Sequence, residues 1–409
     1  MKIGILTFVA VPNFGANLQA LSTYCYLKNK GHSPIIINWV PKEEDDYFRK
    51  LCLQNKQSAC HLEFVKKVMK FTEWCDSEKD VAHIVKKYDI EAVIVGSDAV
   101  LQHHPLFERI HFSAKRIFWI HKMSKSRLFP NPFWGGFQNE LEKKIPMALM
   151  SVSSQGSQYK YIGKAVRKKM AASIEMFSYI SVRDEWTQKM VSHITNEQVI
   201  PLITPDPVFA FNYNCHDLLP AKTDILEKYN LPEKYILFSL LHRNIISYEW
   251  MEELKKIAET HSLPVVVLPM PTGVDYKHPF NKEIPCPLSP LDWYALIKYS
   301  SGYIGQNMHP TIVALANDVP VFCFDSYVLP KFFGMFANEK ASKVYHILTK
   351  FGHKENRCSV GYRKASIPSP HIIFEKLNSF DKEKSHLQSS EYLKQYLSMM
   401  SSIENTLQQ

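Results

Sequence analysis

Short apolar runs alternate with helically spaced stretches along most of this chain. Residues 3–9 form an apolar run of strand length, and residues 15–30 repeat apolar positions at the spacing of an amphipathic helix that stops at Gly31. Residues 33–40 read as a second strand. Residues 42–87 are charged and helical in pattern. A third strand, 92–95, stops at Gly96-Ser97-Asp98, and a fourth, 147–152, stops at Ser153-Ser154-Gln155-Gly156. After a helical stretch at 164–177 comes a fifth strand, 179–182, followed by Arg183-Asp184. Strands that alternate with helices imply a mostly parallel, doubly wound sheet.

The stretch 199–217 holds Pro201, Pro205 and Pro207 and marks a domain edge. The same alternation then restarts. Strands are expected at 235–241, 264–268, 302–305 and 319–324, with helices at 248–260 and 291–298 and a loop at 269–287. The reading is therefore α/β, with two doubly wound Rossmann-like domains facing a central cleft. The first domain spans 1–212 and the second 213–349. A polar tail, 350–409, has a helical end at 390–399 and is expected to pack back across both domains.

Polar residues collect where the strands end. Asn13, Gly15 and Asn17 follow the first strand, Ser97 and Asp98 the third, Ser154 the fourth, and Arg183 the fifth. In the second half His242 and Arg243 follow one strand, and Asn307, His309 and Thr311 another. Ligands of open α/β sheets bind beyond these strand ends. His309 precedes Pro310, which suits a helix's first turn, and free helix N–H groups there favour an anion. A titratable side chain in that position is a candidate for acid/base chemistry. Asn-x-Gly also makes tight turns and Ser-Asp caps helices, so several of these residues read equally well as local punctuation.

Composition narrows the picture. The 409 residues are 45% hydrophobic and 22% charged, a globular balance with material for two or three domains. The net charge of +9 suits an anionic ligand or surface. Eight scattered cysteines contain no CxxC pair, which argues against a local zinc cage and for a reducing, cytoplasmic setting. No run reaches transmembrane length. Residues 103–137, within an insertion at about 102–137, mix His103, His104, Arg109, Lys115 and Arg127 with Phe112, Phe118, Trp119, Phe129, Phe133 and Trp134. Such a mixture fits a membrane surface or a partly ordered insertion, and no nucleic-acid motif accompanies it. Neither GxGxxG nor GxxxxGK[ST] occurs.

These motifs together resemble the polysaccharide pyruvyl transferase family. PNFGANLQA from Pro12 is similar to its NYGAxLQA opening. GSDAV from Gly96, SVSSQG from Ser151, ISVRDEW from Ile180, DPVF from Asp206 and QNMHPT from Gln306 follow in the family's order. The chain departs from the family pattern at Gln306-Asn307 (Asp-Ser in the family), Pro310 (Gly), Gln155 (Phe) and Leu101 (an aromatic).

The resemblance implies a GT-B-like fold and transfer of pyruvate from phosphoenolpyruvate onto a sugar of a bacterial surface polysaccharide precursor, often as a cyclic ketal. It implies that Arg183 holds the donor and that His309 is the acid/base. No cofactor beyond the donor and no metal is expected. The chemistry agrees: Arg forks match carboxylate and phosphate, so Arg183 and Arg243, one from each domain, are placed to clamp the donor with His242 beside them. Asn13, Asn17, Ser97, Asp98, Ser154, Asn307 and Thr311 complete the substrate-binding candidates. The acceptor sugar is expected to be lipid-linked at the inner membrane face, with peripheral contact through 103–137. Two rival readings stand: a GT-B nucleotide-sugar glycosyltransferase, and a non-catalytic family member.

Overall fold

The computed structural model describes residues 1–113, 116–241, 245–326, 329–331, 336–338, 342–360 and 367–408. The first half contributes β1 (Lys2–Leu6), β2 (Ser33–Ile36), β3 (Ala92–Asp98), β4 (Ile110–Ser113), β5 (Arg116–Ile120), β6 (Met147–Val152), β7 (Tyr179–Val182) and β8 (Leu202–Ile203). Six of these form a parallel sheet in the order β2-β1-β3-β6-β7-β8, and β4 and β5 form a separate antiparallel hairpin. The second half contributes β9 (Ile236–Ser239), β10 (Val265–Val267), β11 (Lys282–Glu283), β12 (Gly302–Gly305), β13 (Val321–Asp325), β14 (Leu329–Lys331), β15 (Phe336–Asn338) and β16 (Arg357–Ser359). Its six-stranded parallel sheet runs β11-β10-β9-β12-β13-β16. Both central strands of the first sheet, β3 and β6, are apolar without alternation because helices cover both faces.

The sequence expectation of two doubly wound domains therefore holds, with differences in detail. The charged stretch 42–87 is three helices, Lys42–Gln54, Lys56–Val68 and Glu78–Lys87. The first helix, Phe14–Asn29, is not amphipathic: twelve of its sixteen residues are buried. One side lies on the first sheet and the other meets the second domain, where Phe14 stacks on Trp293 at 4.9 Å. A helix held between two domains has no solvent face to mark with charge.

The tail also differs. β16 joins the second sheet, and helix Pro370–Asn378 buries Ile373, Phe374 and Leu377 in that domain's core. The second domain thus continues past 349. The last helix is Lys382–Leu407, far longer than residues 390–399. Ser389 Oγ donates to the Leu315 carbonyl in the second domain at 2.8 Å. Near the other end, Glu404 accepts from Tyr26 Oη in the first domain and contacts His32 Nε2, both at 2.9 Å.

The basic-aromatic stretch splits in two. Phe133 and Trp134 are core residues, with Phe133 packed 4.9 Å from Phe8 and 4.7 Å from Trp39. Phe129 lies edge-on to Trp134 at 5.2 Å. Phe133 and Trp134 belong to the packing behind the first sheet and are not available to a bilayer. No described helix is long and apolar enough to cross a membrane.

Candidate active site at the domain seam

Strand order reverses beside β1 and β3 in the first sheet and beside β9 and β12 in the second. Crevices open at such switch points, beyond the carboxyl ends of the strands. Here a cleft of about 230 Å³ is lined by Asn13, Asp98, Gln155, Arg183, His309 and Lys343, among others.

Arg183 leaves the end of β7 and enters the seam with its side chain 4% exposed. Its Nη1 donates to Asp206 Oδ2 at 2.5 Å, and its Nη2 lies 4.0 Å from Asp98 Oδ1. Asp206, 1% exposed, is fixed in turn because its Oδ1 accepts from the Val208 amide at 2.9 Å. The Nε and Nη2 atoms of Arg183 are buried without hydrogen-bond partners. Burial opposes the guanidinium charge, but Asp206 and Asp98 more than restore it. This is a fixed cation with two donors to spare.

His309 arrives from the other domain, in the first turn of helix Met308–Leu315. The residue before that helix, Asn307, has φ 78° and gives it no side-chain cap. His309 Nε2 stands 3.8 Å from Asp206 Oδ2 and has no hydrogen-bond partner. The ring lies directly over Gly15: a Cβ built there would fall 2.0 Å from ring atoms. Glycine is therefore demanded at the start of the first helix by the imidazole from the second domain. Burial pushes the His309 pKa down, Asp206 pulls it back up, and Arg183 presses it down again, with a net lowering. The free site holds a neutral imidazole at neutral pH.

The carboxylate missing from the segment before His309 is supplied elsewhere. Gln306 uses its Oε1 to accept from the Leu241 amide at 2.6 Å, which ties β9 to β12. Asp206, across the seam, is the acid nearest the imidazole by the contacts above. The DPVF segment pointed to this residue in the sequence, but nothing in it revealed a role. Lys343 went unnoticed, since it carries no motif. It opens helix Lys343–Lys350 from the second domain and lines the cleft. Burial, then repulsion from Arg183, brings its pKa down to about 8 against the pull of Asp98, Asp184 and Asp206.

The remaining sequence candidates separate cleanly. Asn13 and Asp98 line the cleft, and each also makes a local bond, to the Ala16 amide at 3.2 Å and the Ala99 amide at 2.7 Å. Asn307 lines a smaller crevice of about 70 Å³ on the other side of His309, beside Trp293 and Pro310. Asn17, Ser97, Ser154 and Thr311 are not brought to the cleft. Asn17 is buried, donating to the Val9 carbonyl at 2.8 Å and holding His61 Nδ1 at 2.7 Å. Ser97 Oγ donates to the Ser151 carbonyl, Ser154 Oγ meets Thr187 Oγ1, and Thr311 Oγ1 donates to the Asn307 carbonyl. Their polar atoms hold the strand ends in shape. His242 and Arg243 lie outside the described residues. Among the described residues no group of three His, Cys, Asp or Glu side chains could hold a metal ion.

The arrangement offers two cations, Arg183 and Lys343, to an anion, with a neutral imidazole alongside and a carboxylate behind both. It is equipped to bind a multiply charged anion and to move a proton next to it.

Comparison with known proteins places the chain. A family model described as polysaccharide pyruvyl transferase matches residues 13–326. The UDP-N-acetylglucosamine 2-epimerase from Rickettsia bellii is similar in structure, with TM-score 0.50 and 9% identity, covering 99% of this chain and 97% of that one. The UDP-GlcNAc 2-epimerase from Neisseria meningitidis bound to UDP-GlcNAc gives TM-score 0.50 and 9% identity, with 97% and 100% covered. At such identity the likeness concerns the fold alone, which is of the GT-B type. No curated protein matches the chain.

Proposed function

The chain belongs to the polysaccharide pyruvyl transferase family, and we propose that it transfers pyruvate from phosphoenolpyruvate to two hydroxyls of a polysaccharide-precursor sugar, forming a cyclic ketal and releasing phosphate. The observation that carries this reading is the meeting of Arg183 and His309 at Asp206, from two domains, with unpaired nitrogen atoms beside an anion-sized cleft. Arg183 and Lys343 bind the carboxylate and phosphate of the donor. Anion binding raises the low pKa of His309, so the imidazole takes up a proton as the donor arrives.

His309 gives that proton to the methylene carbon of the donor, whose neighbouring carbon becomes electrophilic. The first sugar hydroxyl adds there and returns its proton to His309. The phosphate then leaves with the proton of the second hydroxyl, which closes the ring. Donor plus diol equals ketal plus orthophosphate, with no redox change. Acid/base help of this kind contributes roughly two to four orders of magnitude. Asp206 keeps both cationic partners in register.

Of the aromatics behind the membrane expectation, Phe133 and Trp134 are core residues and give it no support. We therefore propose a sugar acceptor without assigning it a lipid carrier. The test is thermal unfolding of the full chain with phosphoenolpyruvate and, separately, UDP-GlcNAc, followed by phosphate release in the presence of acceptor. Protection by phosphoenolpyruvate, lost in Arg183→Met, is expected. Protection by UDP-GlcNAc alone would favour a sugar-nucleotide enzyme. Undiminished pyruvylation by His309→Ala would overturn the mechanism.

A further inference from the structure

A basic face on the first domain has no role in donor binding, since none of its cations lines the cleft. Residues 158–174 hold Lys160, Lys164, Arg167, Lys168 and Lys169 and no acid, so this short stretch carries +5 of the chain's net +9. The first acid after it is Glu175, at the C-terminal cap of helix Lys164–Ile174. Met170, Ser173 and Ile174 are buried on one side of that helix, while Lys164, Lys168 and Lys169 are exposed and Arg167 is half-buried. Lys164, Arg167 and Lys168 follow at the three- and four-residue spacing that places side chains on one helix face. Lys160 is exposed in the short turn Tyr159–Tyr161 just before the helix, next to Tyr161, which is 60% exposed.

The charges of this face are not balanced within the protein. Among the described residues none of the five cations pairs with a carboxylate, whereas Arg49, Lys86 and Lys87 each do so at 2.6 Å. Acids on neighbouring elements are engaged elsewhere. Glu185 lies 3.8 Å from Lys189, and Glu108 accepts from the Gln158 amide at 2.7 Å and contacts His104. Arg167 Nη1 lies 3.3 Å from His193 Nε2, where burial, then Arg167 and Lys160, push the imidazole toward its neutral form. Like charges at helical spacing repel and weaken a helix, a cost that an opposing anionic surface removes.

The face begins at the carboxyl edge of the first sheet, where the cleft opens. β6 ends at Val152, Gln155 lines the cleft, and Lys160 follows shortly after. The intervening loop is pinned, because Trp186 Nε1 donates to the Ser157 carbonyl at 2.9 Å and the His103 amide to Ser157 Oγ at 3.0 Å. Exposed cations on one helix face beside an amphipathic tyrosine ring complement a plane of anionic headgroups. Single-stranded nucleic acid is instead held by several stacked aromatics, and this segment exposes only Tyr161.

We propose that this face docks the protein on an anionic membrane surface and holds the carboxyl edge of the first sheet beside the bilayer. The proposal goes beyond the pyruvyl-transfer reading and does not depend on it. It uses a segment other than the basic-aromatic stretch 103–137.

The test is sedimentation of the full chain with vesicles of phosphatidylcholine alone, and of phosphatidylcholine mixed with phosphatidylglycerol, at low and physiological salt. The variant is Lys164→Gln/Lys168→Gln/Lys169→Gln, at three exposed positions that leave the buried side of the helix intact. A matched control, Lys86→Gln/Lys87→Gln/Lys222→Gln, removes the same charge from paired lysines elsewhere. The native chain and the control are expected to bind the anionic vesicles and not the neutral ones, more weakly as salt rises. The variant should bind about a hundredfold more weakly, at about fivefold per cation near an anionic surface. Its thermal unfolding, and its protection by phosphoenolpyruvate, should match those of the native chain. No binding of the native chain to anionic vesicles, or an equal loss in variant and control, overturns the proposal. Tighter binding to a DNA duplex than to vesicles, lost in the same variant, also overturns it and assigns the face to nucleic acid. Absence of phosphoenolpyruvate protection in the native chain would strike the donor reading alone.

Discussion

Two polar regions adjoin at the carboxyl end of the first sheet, and they use their hydrogen-bonding atoms in opposite ways. In the floor behind β3 and β6, buried side chains are paired inward. Ser97 Oγ donates to the Ser151 carbonyl at 2.8 Å, Ser153 Oγ to Asp184 Oδ2 at 2.9 Å, and Thr187 Oγ1 to Asp184 Oδ1 at 2.9 Å. At the seam, buried atoms are kept in reserve: Nε and Nη2 of Arg183 and Nε2 of His309 have no partner. Each unpaired buried group costs about 1–3 kcal/mol. On the proposed reading, an anion completes the bonds of the seam, while the floor is already complete in itself.

Removing the fixed cation should break this contrast most severely. Arg183→Met leaves Asp206 buried and uncompensated, which is expected to cost roughly 3–5 kcal/mol of stability. Urea unfolding measures it, and phosphoenolpyruvate should no longer protect the variant. Adding Asp206→Asn should recover part of the stability but none of the donor binding. If the single variant were as stable as the native chain, the Arg183–Asp206 pair would not be the anchor of the seam.

Gly15→Ala attacks the same contact from the opposite domain. The new Cβ collides with the His309 ring, so the imidazole must leave its place. Activity should fall by about two to four orders of magnitude, as for loss of the acid/base group. Stability should fall by only about 1–3 kcal/mol, the usual range for overpacking. A strong loss of turnover with retained thermal protection by phosphoenolpyruvate would separate positioning of His309 from donor binding.

Lys343 sharpens the contrast through pH. Its pKa is brought down to about 8, so its charge, and the hold on an anionic donor, should fade as pH rises through that value. Titrating donor affinity between pH 7 and 9 tests this. Lys343→Met should remove that step and weaken binding by about ten- to a hundredfold, the worth of a hydrogen bond to a charged group. The stability sign is opposite. A lysine whose folded pKa lies below the unfolded 10.5 binds fewer protons folded than unfolded between about 8 and 10.5. Its contribution to stability therefore rises with pH across that window. A donor affinity independent of pH from 7 to 9 would remove Lys343 from the anion site.

The sequence showed where the chemistry gathers but not which atoms remain free. Both sheets were visible in the apolar runs because central parallel strands are buried on both faces. Arg183 and His309 were visible because both follow strands that stop abruptly. The partners of Ser97, Ser154 and Thr311 were not, since a hydroxyl at a strand end looks the same whether it binds a ligand or a neighbouring carbonyl. Asp206 meets His309 across about 100 residues of chain, and Lys343 meets Arg183 across more, and only the docking of the domains creates that proximity. The last helix was underestimated because its early turns are rich in Ser, Gln and Lys, which read as tail rather than as one helix bridging two domains.

The smallest effects are expected at hydroxyls paired inward, Ser97 in the floor and Thr311 in the second domain, and they are the most direct check on that assignment. Ser97→Ala removes a buried hydroxyl donor and leaves the Ser151 carbonyl without that bond, so a loss of about 1 kcal/mol is expected. Thr311→Ser keeps its hydroxyl and its bond to the Asn307 carbonyl, and only a methyl group is lost, worth about 1 kcal/mol in a packed interior. In both variants the Michaelis constant for phosphoenolpyruvate should stay at the native value, because neither hydroxyl faces the donor. A rise in that constant without loss of stability would mean that these hydroxyls turn toward the ligand during the reaction. The floor would then belong to the seam, and the division between paired and reserved atoms would hold only for the empty site.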